Sequence, residues 1–298
     1  MFFLKTAFLK DGDILTPPVE IKNINSIKIQ NGIFDEVFGT ADIESEYSTD
    51  IPSEWDYNTI LHALFENNLM AGNVGYVVSE VSALRVKHRE QGTYNWITLF
   101  EIPINDISDF NFDVLDQYCR SGVIYEFCVV PVINGIEGNS PINSIESKFD
   151  GIFIIEKDLS YSTNFETEIS DVTHNQQVAS VLPIGSRYPY HIKNALTNYD
   201  SGTVKGFFVE VNTNTGDINI DNGFRYRKSF IDFLFNGKPK IIKTGEGQIW
   251  MCSITGSPVE SPVNGYKKFI VTTFNFEEIG SVFDQDDMYN HGFVDTLG

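Results

Sequence analysis

The stretch Gly223–Pro258 constrains the fold more than any other part of the chain. From Phe224 to Phe235 the apolar residues fall at helical spacing. Phe230, Phe233 and Leu234 share one face, with Tyr226 and Phe224 near it. Asp221 or Asn222 can cap the start, Gly237 stops the helix, and Pro239 bars its extension. Lys240-Ile241-Ile242-Lys243 then reads as a strand. Gly245-Glu246-Gly247 turns the chain, Gln248 to Ile254 returns, and Gly256-Ser257-Pro258 is expected to end the hairpin. Arg225, Arg227 and Lys228 on this helix could form a small anion site. A solvated face or an intersubunit ion pair is the favoured reading.

The rest of the chain reads as β structure. Its 298 residues include 24 Phe and 13 Tyr, and turn residues recur throughout. That length allows two or three domains with a real core. The net charge of −20 argues against general nucleic-acid binding, because phosphates would be repelled. It is compatible with the wall of a channel, or simply with an acidic soluble protein. Cys119, Cys128 and Cys252 form neither a disulfide framework nor a metal spacing. They are expected to be buried and reduced, as in a cytoplasm. Residues 1–10 lack a basic start and are read as no signal peptide, and no apolar window is long enough to span a membrane.

Residues 1–75 are expected to form an N-terminal β segment with one helix. Ile21 to Ile24, Ser26 to Gln30 and Ile33 to Phe38 alternate as strands, with Asn31-Gly32 as a hairpin turn. Trp55 lies in an extended run, and Tyr57 to Leu69 shows the apolar stripe Ile60, Leu61, Leu64 and Phe65 of a helix, with His62 packed or on its surface. Residues 76–148 hold short strands: Val77 to Arg89, Trp96 to Pro103, Phe110 to Val114 and Ile124 to Val132, turned at Asn134-Gly135. This density of strands and turns reads as a small sandwich. Residues 149–298 return to a longer β rhythm, including Gly206 to Val211 and a closing strand from Lys267 to Phe276.

Tyr125-x-Phe127-x-Val129-x-Pro131-x-x-Asn134-Gly135-x-x-Gly138-x-Ser140-Pro141 resembles the end of a fibronectin type III domain. That resemblance implies a core tryptophan at Trp96. It also makes Tyr125 the corner tyrosine, its hydroxyl bonded to an upstream backbone group. The run Asn105–Asp109 departs from the pattern.

A second ordered series covers Phe149 to the C-terminus and, more loosely, Trp55 to Asn73. It comprises Phe149-Asp150-Gly151, Arg187-Tyr188-Pro189, Asn198-Tyr199-x-x-Gly202-x-x-x-Gly206 and Phe233-Leu234-x-Asn236-Gly237-Lys238-Pro239-Lys240. Gly247-x-Ile249-Trp250 and Phe274-x-Phe276-x-Glu278-Ile279-Gly280 complete it. The series resembles tail-tip and baseplate proteins of tailed bacteriophages, of the distal-tail or hub type. The fold class expected is mainly β: a split β-barrel-like domain plus a fibronectin III-like β-sandwich, with two or three short helices. The resemblance implies a virion structural protein, assembled in the host cytoplasm. It would form a ring of its own copies, a hexamer favoured over a trimer, that continues the tail tube and contacts other tail and baseplate proteins. Arg225, Arg227 and Trp250 are the candidate interface residues.

The alternative is a module that binds cell-surface carbohydrate, with Tyr94 as an exposed loop-tip aromatic. An enzyme is the weakest reading. His62, His88, His174, His191 and His291 show no metal-ligand spacing, and Asp284-x-Asp286-Asp287 lacks the glycine and glutamate of a calcium loop. There is no nucleophile elbow, no phosphate loop and no Cys/His pairing. No catalytic residue, cofactor, metal, sequence-specific nucleic acid or membrane insertion is expected.

Overall fold

A computed structural model describes residues 27–30, 34–40, 60–68, 71, 78–138, 140–211, 218–219, 222–263 and 266–297. The Ile21–Ile24 strand, the Asn31-Gly32 turn and Trp55 lie outside these residues. The strands are β1 (Ile27–Gln30), β2 (Glu36–Thr40), β3 (Ile60–Leu64), β4 (Val81–Glu90), β5 (Ile97–Pro103), β6 (Asp113–Asp116), β7 (Val123–Ile133), β8 (Ile136–Glu137) and β9 (Asn143–Ser147). They continue as β10 (Ile152–Ile155), β11 (Ser160–Thr163), β12 (Glu168–Val181) and β13 (Tyr190–Gly206). After helix α1 (Gly223–Phe235) come β14 (Lys240–Thr244), β15 (Ile249–Val263), β16 (Tyr266–Gly280) and helix α2 (Gln285–Asn290). The protein is mainly β and antiparallel, with a few short helices.

A five-stranded sheet has the order β5-β4-β7-β8, with β9 also on β7. A seven-stranded sheet has the order β11-β10-β14-β15-β16-β13-β12. The chain passes from one sheet to the other between β9 and β10. Neighbouring residues on the middle strands of the large sheet point to opposite faces, as the β period requires. Ile155, Ile241 and Met251 join Val86, Leu99, Tyr125 and Phe127 of the small sheet, and Val282, Met288 and Phe293 near the C-terminus, in one apolar cluster. Ile154, Ile242 and Cys252 face the other way, onto Phe230, Phe233 and Leu234 of α1. Both faces of β14 are therefore covered, which explains why all five of its residues are buried. Even its lysines are enclosed. Lys240 bonds Asn236 and pairs with Glu156, while Lys243 donates to the carbonyls of Gln117 and Cys119.

The expected helix from Phe224 is present, and Phe230 stacks on Phe208 at 3.9 Å. Asn222 precedes it without a side-chain capping bond. The return strand does not stop at Gly256-Ser257-Pro258. β15 runs on to Val263, because a register shift between Thr255 and Val259 absorbs the extra residues, with Gly256 at φ 70°. Four other expectations are corrected. Ile60–Leu64 is a strand paired with β2, not part of a helix from Tyr57 to Leu69. A short apolar run satisfies either period, and pairing with β2 settles it here. Among the described residues the strands flanking Asn31-Gly32 pair elsewhere, β1 with β6 and β2 with β3. In place of a strand at Phe110 there is a 3-10 turn, Ile107–Phe110, capped at Asp106 and followed by β6. Of Gly206–Val211, only Gly206 lies in a strand, and Val211 bridges to Ile218.

Candidate functional site

Two places on the molecule could carry function, and they differ in kind. The first is the distal part of the β12–β13 hairpin. β13 pairs with β16 only over Ser201–Gly206, whereas its pairing with β12 continues from Ser201 to Tyr190. Beyond Ser201 the hairpin is a two-stranded arm with no third strand beside it among the described residues, roughly 30 Å long at the usual strand rise. Val178, Val181, Leu182, Ile184, Tyr188, Tyr190 and Ile192 on this arm are exposed. Residues 172–199 contain no Asp or Glu, although the whole chain has 41. Arg187 and Lys193 lie in the same run. The arm is thus apolar and weakly cationic on a strongly acidic molecule.

The second place is a cleft of about 170 Å³ beside β4, bordered by His88, Glu90, Asn95, Arg120, Tyr125 and Phe283. The β period of β4 turns His88 and Glu90 to one face, and the chain after β6 brings Arg120 over them. Arg120 forms a two-pronged pair with Glu90 at 2.5 and 2.6 Å. The Tyr125 hydroxyl donates to Glu90 at 3.0 Å and accepts the Arg120 backbone N–H at 3.1 Å. The upstream backbone partner expected of Tyr125 is therefore Arg120, and the side chain is 1% exposed. Burial drives the Tyr125 phenol far above its ordinary pKa, so it stays a neutral donor.

Behind the cleft, three chemically different side chains meet. His88 Nδ1 is 2.7 Å from Asp116 Oδ2, and the Cys119 thiol donates to the same oxygen at 3.1 Å. Cys119 Sγ is 4.0 Å from His88 Nδ1, and all three residues are buried. Burial alone would raise the Asp116 carboxyl. The His88 ring, the Tyr118 N–H and the thiol outweigh it and hold the carboxyl below its usual range. Burial and the neighbouring carboxylate push the Cys119 thiol well up, so it is no nucleophile. Among the described residues this is the one group of His, Cys, Asp and Glu close enough to hold a metal ion. Sequence spacing hid it, because His88 stands on a different strand. The one local signal was Asp116-x-x-Cys119.

The other candidate residues are dispersed. Arg225 is exposed on α1. Arg227 lies 3.2 Å from Glu260, an ion pair without linear hydrogen-bond geometry. Trp250, expected at an interface, is instead 6% exposed. Its ring packs on Phe276 and its Nε1 donates to Asp200 at 3.0 Å. Its position on the covered middle strands removes it from any surface. Trp96, expected in the sandwich core, is half-buried under the Arg89 guanidinium at 4.4 Å. Tyr94 is 91% exposed. Asp284 caps α2 by accepting from Asp286 and Asp287. The signal for the arm was the long acid-free run, which a search for motifs passes over. No family model matches the chain, and no curated protein matches it in sequence.

Proposed function

We propose that the chain is a structural subunit of the tail tip or baseplate of a tailed bacteriophage. It closes into a ring with copies of itself by docking the β12–β13 arm on a neighbour. The observation that carries this reading is the arm itself. A two-stranded ribbon is marginal alone in water, and its exposed apolar residues gain free energy only when a partner covers them. The partner favoured is a second copy, because a chain of net charge −20 offers an acidic surface to an arm that carries Arg187, Lys193 and no acid. A head-to-tail contact of this kind closes into a ring when its rotation allows. Arg225 stays a candidate at such a contact.

Native mass spectrometry and negative-stain imaging of one sample test this. Wild type should give a closed ring, and the Ile184→Glu/Tyr188→Glu chain a folded monomer. A wild type that stays monomeric at every concentration, or a double variant that still forms rings, overturns the arm as the docking element.

A second reading, attachment to cell-surface carbohydrate, draws on Tyr94. This exposed aromatic sits in the same turn as Thr93 and Asn95 at the cleft. Silence on a glycan array would remove it.

A further inference from the structure

The buried group behind the cleft has more structure than a satisfied histidine needs. Two donors, His88 and the Cys119 thiol, converge on one carboxylate oxygen, Asp116 Oδ2. Nitrogen, oxygen and sulfur atoms all lie within 4.8 Å of one another. Replacing the shared protons by one divalent cation leaves carboxylate and thiolate balanced against its two charges, with imidazole as a neutral third donor. We infer that His88 Nδ1, Asp116 Oδ2 and Cys119 Sγ form a three-ligand zinc site, with water as the fourth ligand, that ties β4 to the end of β6 and the segment after it.

The geometry is close to what zinc requires. Tetrahedral bonds of ordinary length place such ligand atoms about 3.3–3.6 Å apart. The three observed separations are 2.7, 3.1 and 4.0 Å, so side-chain shifts of roughly half an ångström complete the arrangement. The mixed donor set suits zinc better than calcium or magnesium, which take oxygen ligands. Supporting bonds hold the ligands in place. Asp116 accepts the Tyr118 N–H at 2.8 Å, and the Cys119 carbonyl is held by Lys243. His88 also borders the cleft, which is the way in. Binding is balanced as follows: Zn²⁺ takes the lone pairs of the imidazole nitrogen, the carboxylate oxygen and the sulfur. The thiol proton leaves to water and the Nδ1 proton passes to Nε2, so the imidazole stays a neutral donor.

The test uses the full chain, stripped with a chelator in denaturant and refolded with one equivalent of Zn²⁺ or Co²⁺. Zinc should be retained at one per chain after dialysis and should raise the melting temperature. The cobalt sample should show a sulfur-to-cobalt charge-transfer band. That band should vanish in Cys119→Ala and persist in Cys128→Ala and Cys252→Ala. His88→Gln should lower zinc affinity by tenfold or more. If Cys119→Ala does not refold, the wild-type stoichiometry and band decide alone. No retained zinc, a cobalt complex without the band, or a band that survives Cys119→Ala overturns the site.

Discussion

Two long antiparallel pairs, β4 with β7 and β12 with β13, show how differently one chain treats the same element. In β4 the apolar residues Leu84 and Val86 are buried, and the outer face is laced with ion pairs. Arg85 meets Glu101 and Glu137, Lys87 meets Glu137, and Arg89 meets Glu126. The three cations of β4 on that face, Arg85, Lys87 and Arg89, each meet a carboxylate of the same chain. Among the described side chains of distal β12–β13 there is no such ladder beyond the His174–Asp200 contact at its root, and exposed aliphatic and aromatic residues stand in its place. The first pair is finished by the fold. The second leaves its apolar residues open to solvent.

The contrast breaks most sharply if Phe127→Ala on β7 and Ile184→Ser on the arm cost the same. Phe127 is buried in the core shared by both sheets, so its loss should cost about 3–5 kcal/mol in denaturant unfolding. Ile184→Ser should stay within about 0.5 kcal/mol. Next, reversing the arm's charge with Arg187→Glu/Lys193→Glu should weaken self-association at least tenfold, about 1.4 kcal/mol, as read by sedimentation. Monomer melting should be unchanged. Tyr125→Phe sharpens the other side. It removes the hydroxyl shared by Glu90 and the Arg120 N–H, and should cost about 1 kcal/mol.

The smallest effect concerns Glu278 on β16, which accepts the Asp200 N–H near the arm's root. Burial, then the Asp200 charge, raises its pKa in the fold, although the hydrogen bond opposes the shift. Between the ordinary glutamate value and that raised value, the folded state holds the extra proton. Its contribution to stability therefore falls as pH rises through that window. Glu278→Gln should flatten this part of the stability profile, measured by melting at a series of mildly acidic pH values.

Much of the local structure was legible. The helix over Gly223–Phe235 and the hairpin of β14 and β15 follow from apolar period and from Gly and Pro. The Asn134-Gly135 turn follows from the backbone its residues tolerate, both at positive φ. The Tyr125 bond to upstream backbone was read through a resemblance. Ile60–Leu64 fits a helical period as well as a strand period, because five residues cannot separate the two. The Gly256-Ser257-Pro258 stop failed because β16 supplies a partner that tolerates a bulge. The candidate site was the least legible part. Trp250 and Trp96 are similar in sequence character, yet one is enclosed by two neighbouring strands and the other lies under an arginine.

By itself, the sequence determined the β class, the main helix, the tight turns and the acidic character. These depend on preferences that act within a few residues of the chain. Only the tertiary structure decided which strands pair, that the middle strands of the large sheet are covered on both faces, and that His88 meets Asp116 and Cys119. Those outcomes depend on the joint burial of residues far apart in sequence, and no local spacing records which distant surface will cover a given face.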